Sequence, residues 1–166
     1  MMSVCARSIV VTSAFVVALA LTTGCAKPKP PTVTPKSAQV QTLSARGVEL
    51  AVTFDVTNPN RFPLIVHSVD GRFSVGAGTG SELGTAHAEP SASIAAEATS
   101  TVTSTVAVAW TNLAALAPFA LSPGAVPYTF TGNATLGGSE LNVSVPFTLS
   151  GELTRAQVLS IGLAGL

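Results

Sequence analysis

The feature that most constrains this chain is a hydropathy period of two. Val48, Leu50, Val52, Phe54 and Val56 alternate with Glu49, Thr53, Asp55 and Thr57. Successive side chains of a strand point to opposite faces, so such a run writes one buried face and one wet face. Val102, Val106, Val108 and Trp110 repeat the pattern around Thr101, Thr103 and Thr105. Val126, Tyr128, Phe130, Ala134 and Leu136 do so again, as do Leu141, Val143, Val145, Phe147 and Leu149. Gly137-Gly138-Ser139 supplies a hairpin turn between those last two runs. Further strands are predicted near 38–44, 64–76 and 83–88. About seven short strands with turn signals between them predict an all-β fold. The expected form is an immunoglobulin or fibronectin type III-like antiparallel two-sheet β-sandwich. One segment departs from the pattern. Residues 111–117 (TNLAALA) pair a helix-capping start with good helix formers, and Pro118 bounds them, which predicts one short helix.

Charged residues make up only 10% of the chain, 8 basic and 8 acidic, where about 25% is ordinary. The wet faces must therefore be built from Thr, Ser and Asn. A net charge of zero with no basic cluster leaves nothing to neutralise phosphates, which excludes nucleic acid as a partner. High apolar content with few charges is the reverse of the composition of disordered chains.

The N-terminal stretch is of a different kind. The largely apolar run SIVVTSAFVVALAL (8–21) is shorter than the ~20 residues a spanning helix needs, but it suits the core of a signal peptide. It ends in Thr22-Thr23-Gly24-Cys25, which resembles the bacterial lipobox, although Thr22 stands where Leu is usual and Leu21 lies one step earlier. Residues 1–24 are accordingly read as a cleaved lipoprotein signal peptide and Cys25 as the residue that takes the lipid. Cys5 falls within the signal, so Cys25 is the only thiol left to the mature chain. Neither an intramolecular disulfide nor a cysteine metal cage can form. Ala26, in place of a retention-type Asp, implies the outer membrane with the domain facing the periplasm. Four prolines in residues 26–35 read as a tether over 25–36, extended to about 30 Å and outside the fold. The domain proper is placed at 37–153. The apolar tail 154–166 is either a short docking helix or an unstructured end, with Gly162 and Gly165 weakening the helix.

Between two alternating strands stands Thr57-Asn58-Pro59-Asn60-Arg61-Phe62-Pro63-Leu64. Asn58 can bond its own backbone two residues on, Pro59 pre-sets φ, and Asn60 tolerates the left-handed region, so the three read as a structural turn. A strand, Asn-Pro-Asn, an aromatic with Pro, and a strand ending near Gly76 together resemble the second-type late embryogenesis abundant family. They are similar in particular to the water-stress and hypersensitive-response (WHy) domain. The resemblance spans roughly 37–153. It implies a two-sheet β-sandwich with one helix and a role in protection during desiccation, and it supplies no catalytic residues.

The remaining polar residues do not assemble a site in sequence. His67 and His87 lie on different predicted strands without metal-type spacing and are read as structural. Asp55 and Asp70 are read as solvated strand or turn carboxylates. Gly76-Ala77-Gly78-Thr79-Gly80 lacks the lysine and the following helix of a phosphate loop and reads as a turn. No catalytic, cofactor-binding or metal residue is predicted, and the chain is not read as an enzyme. The expected function is a lipid-anchored envelope protein with a stress-protective domain, attached to the membrane through its N-terminal lipid. The alternatives are binding or transfer of an apolar ligand such as a lipid, or a scaffold that joins other envelope proteins.

Overall fold

A computed structural model describes residues 27–78, 80–120, 124–139 and 141–163. Cys25 and the predicted signal peptide lie outside them. Among the described residues eight strands run in chain order: β1 Thr32–Ser44, β2 Gly47–Thr57, β3 Leu64–Val75, β4 Ser81–Ala88, β5 Ala92–Ile94, β6 Thr99–Trp110, β7 Val126–Gly137 and β8 Asn142–Leu153. A 3-10 turn, Leu113–Leu116, leads into a short helix α1, Ala117–Ala120, and a second helix α2, Arg155–Leu163, follows β8.

All pairings are antiparallel, in the order β1-β2-β6-β4-β3-β7-β8, with β5 added to the start of β3. The apolar set of each alternating run faces one interior, where Leu50, Val52, Val56, Val106, Phe130 and Leu136 are fully buried. Phe54 of β2 stacks on Phe147 of β8 with centroids 6.3 Å apart, and Phe73 stacks on Tyr128 at 5.0 Å. The two ends of the sheet, β1 and β8, come alongside each other. Tyr128 Oη donates to the Ala38 carbonyl of β1 at 2.5 Å, so the sheet is rolled nearly into a barrel.

This differs from the expected pair of separate sheets. The hydrogen bonds make one sheet, because Gly84, Thr85 and Ala86 of β4 pair with Trp110, Ala109 and Val108 of β6. The reason is steric. A Cβ on Gly84 would run into the Ala109 carbonyl, so only glycine lets the two backbones meet at this seam.

The proline-rich tether is also shorter than expected. β1 starts at Thr32, and Pro35 lies in it opposite Phe54, next to a register shift before Ser37. β1 is the terminal strand of the sheet order, and an edge strand or a bulge is where a residue without an N–H is tolerated. Thr32–Lys36 are therefore part of the sheet and not outside the fold.

The helix predicted after β6 begins as the 3-10 turn and continues through Pro118, which occupies the first turn of α1 and removes no helical bond there. The apolar tail forms α2. Thr154 Oγ1 accepts from the Gln157 amide at 3.3 Å while Gln157 Oε1 accepts from the Thr154 amide at 2.7 Å, a capping box. Val158 is buried and docks the helix.

The register defines two ends. Chain 27–31, the β2–β3 turn, the β5–β6 loop and the β7–β8 hairpin share one end, called here the base. The β1–β2 and β3–β4 turns, α1 and α2 share the other.

Candidate functional site

The Asn58-Pro59-Asn60 turn sits at the base and is a clasp of three segments. Asn58 is 1% exposed and Asn60 6%, which is unusual for amides and requires that their polar atoms find partners. Asn58 Nδ2 donates to the Phe62 carbonyl at 2.8 Å and to the Ala95 carbonyl at 3.1 Å. Its Oδ1 accepts from the Asn60 backbone amide at 3.0 Å and from Asn60 Nδ2 at 3.2 Å. The first of these is the local bond that turns the chain after an Asn. Asn60 in turn reads the backbone of the incoming chain. Its Nδ2 donates to the Lys29 carbonyl and its Oδ1 accepts from the Lys29 amide, both at 2.8 Å. The Asn58 amide donates to the Ala98 carbonyl at 2.8 Å, and the Glu97 amide donates to the Asn60 carbonyl at 2.9 Å. Turn, β5–β6 loop and N-terminal segment are therefore held by two carboxamides whose polar atoms all point inward.

A second polar group lies on the outer face of β4-β3-β7-β8. Asp70 and His87 are direct cross-strand partners, with His87 Nδ1 2.5 Å from Asp70 Oδ1. Ser68 Oγ donates to Asp70 Oδ2 at 2.8 Å, and Glu89 Oε1 lies 3.3 Å from His87 Nε2. The bond to His87, then that from Ser68, holds the Asp70 carboxyl below its usual range. Asp70 first, and Glu89 second, raise the His87 imidazole above its usual value. Asp70 and His87, with Arg72, Thr85, Thr131, Asn133 and Pro146, line an open trough of about 620 Å³. Ser68 donates to the Asp70 carboxylate and makes no bond to the His87 imidazole, so the three are not linked in the order Ser–His–Asp. The His87 imidazole of this group, raised above its usual value, can take up a proton.

Asp55, the other carboxylate singled out in the sequence, lies on the outer face of β2. Lys36 Nζ at 2.9 Å, then Thr101 Oγ1 at 2.7 Å, lower its pKa. It stands apart from Asp70. His67 lies over Gly137, where a Cβ would come within 2.7 Å of its Nε2. Gly76, Gly78 and Gly80 all have positive φ (102°, 70° and 51°), so the glycine-rich stretch is the β3–β4 turn. Among the described residues no cluster of three or more His, Cys, Asp or Glu is placed to hold a metal, and no helix is long and apolar enough to cross a membrane. Cys25 lies outside the described residues.

Two pairings leave no signal in the sequence: the register that sets Asp70 opposite His87 is not written in either strand, and nothing local to Asn60 points to Lys29, 31 residues away.

Fold and site together define a small rolled antiparallel β module with a buried asparagine clasp at its base and a hydroxyl-covered outer surface. The family model described as late embryogenesis abundant protein matches residues 53–151, more than half of the chain, and the protein belongs to that family. Solved structures of other proteins share the fold. One is an Arabidopsis thaliana protein solved in solution, 21% identical, with 78% of this chain and 83% of that chain covered at a TM-score of 0.58. A late embryogenesis abundant protein, also solved in solution, is 17% identical over 75% of this chain and 71% of its own, at 0.55. A crystallised protein from Archaeoglobus fulgidus is 9% identical over 76% and 95%, at 0.52. At these identities the likeness is one of fold. No curated protein matches the chain.

Proposed function

We propose that this protein is a non-enzymatic, WHy-type member of the late embryogenesis abundant family, anchored by lipid at Cys25 in a bacterial envelope, where it protects its neighbours during water loss. The observation that carries this reading is the family match across the Asn58-Pro59-Asn60 clasp. The outer surface supports it. Thr53 and Thr103 hydroxyls bond each other at 3.1 Å and Thr57 and Thr99 at 2.9 Å, a wet face suited to many weak contacts and to no single tight ligand. A lipid contributes about 0.8 kcal/mol per buried CH₂, and the two or three chains of a lipoprotein make a stable anchor. The outer membrane, facing the periplasm, is the proposed location.

The test is a strain lacking the gene, dried and rewetted, with complementation by the wild type and by Cys25→Ser. Survival should fall in the deletion and return with the wild type. Cys25→Ser should move the protein to the soluble fraction and rescue less. Unchanged survival of the deletion across drying, freezing and osmotic shock would overturn the protective role. Retention of Cys25→Ser in carbonate-washed membranes would overturn the anchor.

A further inference from the structure

We propose that the base of the sheet rests on the phospholipid headgroups of the membrane that holds the chain, with α1 and α2 pointing away from it. This rests on lipidation of Cys25, and the geometry then leaves little choice. Both backbone groups of Lys29 are held by Asn60 at 2.8 Å, and Pro31 just beyond is buried. From Lys29 into β1 the chain is part of the folded body. Cys25 lies four residues before Lys29, and four extended residues reach no further than about 14 Å. The proline-rich segment is thus no long spacer: the acyl-bearing residue is kept within one short reach of the base. The far end is out of that reach, because β3 runs 12 residues from the base and a strand rises about 3.3 Å per residue, which puts the β3–β4 turn roughly 30–40 Å higher.

The surface that this brings to the membrane has a fitting chemistry. Lys27, Lys29 and Arg61 are exposed there. The Arg61 side chain is 92% exposed and held only by Glu97 at 3.6 Å, so it is free to turn to a phosphate. Pro63 and Ile65 add exposed apolar surface at the same end, Ile65 at 40% exposure. Cations interleaved with apolar side chains are what a headgroup layer accepts.

The test uses the full lipidated protein in vesicles of phosphatidylethanolamine and phosphatidylglycerol that contain a headgroup spin-labelled lipid. Single fluorophores are placed at Ser93→Cys, at the base, and at Ala77→Cys, at the far end; acylated Cys25 leaves no competing thiol in the mature chain. The Ser93 label should be quenched on the order of threefold more strongly, given a height difference of ~30 Å or more from strand rise alone. A flexible insertion of about 20 Gly/Ser residues between Ala26 and Lys27 leaves the fold untouched and should abolish the difference, since such a coil spans roughly 25 Å and lets the domain tumble. Equal quenching in the uninserted protein, or stronger quenching at Ala77, overturns the orientation alone. An intact mass without acyl chains, in a protein that does not float with the vesicles, overturns both the lipid reading and the orientation built on it.

Discussion

Asn58→Ala removes the centre of the clasp, and its cost can be worked from the bonds it breaks. Truncation strips the Phe62 carbonyl, the Ala95 carbonyl and the Asn60 backbone amide of their Asn58 partners. Asn60 Nδ2 keeps the Lys29 carbonyl. Asn58 is 1% exposed, so the three orphaned groups do not reach bulk water. Each net bond is worth about 1 kcal/mol and an unsatisfied buried group costs about 1–3 kcal/mol. Three of them give roughly 3–4 kcal/mol, allowing for partial collapse of the turn. In a domain of this size 1 kcal/mol corresponds to about 3–5 °C, so the midpoint should fall by roughly 10–15 °C. The loss is large but short of unfolding a domain with an ordinary stability of about 5–15 kcal/mol. Thermal and urea unfolding of the purified domain, followed by far-ultraviolet circular dichroism, measure it. Asn58→Asp is the sharper companion. It keeps the acceptor oxygen but turns a carboxylate oxygen toward two carbonyls, so it should be worse than Ala at neutral pH and partly recover on acidification, when the protonated acid can donate again. A midpoint unchanged in Asn58→Ala, together with loss of protective activity, would refute the structural account and make the motif a binding site.

Three further outcomes follow. Pro59 is exposed, so Pro59→Ala should act only through the unfolded chain and cost about 0.4–1 kcal/mol, a shift of a few degrees in the same melts. His87 has a raised pKa in the folded state, so its contribution is fully present below the unfolded value of 6.5 and fades as pH climbs through the higher folded value. Asp70 and Asp55 are lowered from 3.8, so theirs is present above that value and fades as pH falls through the folded values. Stability should thus be greatest between about pH 4 and 6.5, and His87→Ala should flatten the decline toward pH 8 in melts taken across that range. Gly84→Val should cost several kcal/mol and open the β4–β6 seam, seen as faster amide exchange at Ala109 and Thr111, whose N–H groups face β4, because the new Cβ meets the Ala109 carbonyl and not a flexible side chain. A Gly84→Val protein with wild-type stability would show that the seam is not closed in solution.

Strands β2, β6, β7 and β8 were legible because each carries a run whose apolar set has one place to go. Their interior residues, Val52 and Phe54 through Phe147 and Leu149, are those that the period of two assigns. What stayed hidden depends on interactions that sequence spacing does not encode. The start of β1 is hidden by Pro35, which looks incompatible with a strand, and only the sheet order reveals that the strand is terminal. β5 has three residues, too few to show any period. The Asp70–His87 pair fails for a subtler reason. Counting back from the β3–β4 turn, where Val75 faces Ser81 and Ser74 faces Glu82, an unbroken ladder puts Asp70 opposite Ala86. The register shift beside Phe73 leaves Leu83 over and moves every later partner by one, which brings His87 to Asp70. Leu83 and Gly84 are both buried, the only trace of the bulge being two successive small or apolar residues where alternation asks for one. The Asn-Pro-Asn motif was legible as a turn from its own residues. Its hold on Lys29 and Ala95 was not, since a long-range hydrogen bond leaves no local signal.

The surface fits the role proposed for this architecture during water loss. Drying removes the partner on which an exposed polar group relies, and the cost is far greater for an ion than for a hydroxyl. This chain carries few ions, 10% of its residues, and several of those already face a partner: Lys36 with Asp55, and His87 with Asp70 and Glu89. Its outer hydroxyls are cross-strand neighbours, so Thr53 has Thr103, Thr57 has Thr99 and Thr101 has Asp55 as water leaves. Inside, among the described residues, no buried side-chain polar atom lacks a partner, and the clasp at Asn58 and Asn60 is closed by protein groups alone. A fold whose polar groups bond one another loses little when the solvent that competes for them is withdrawn, and the hydrophobic term that weakens in its absence is backed by ring contacts that do not depend on water. The threonine rows that make the sheet face wet thus keep hydrogen-bond partners as water is withdrawn, which is what the proposed protective role requires of the fold.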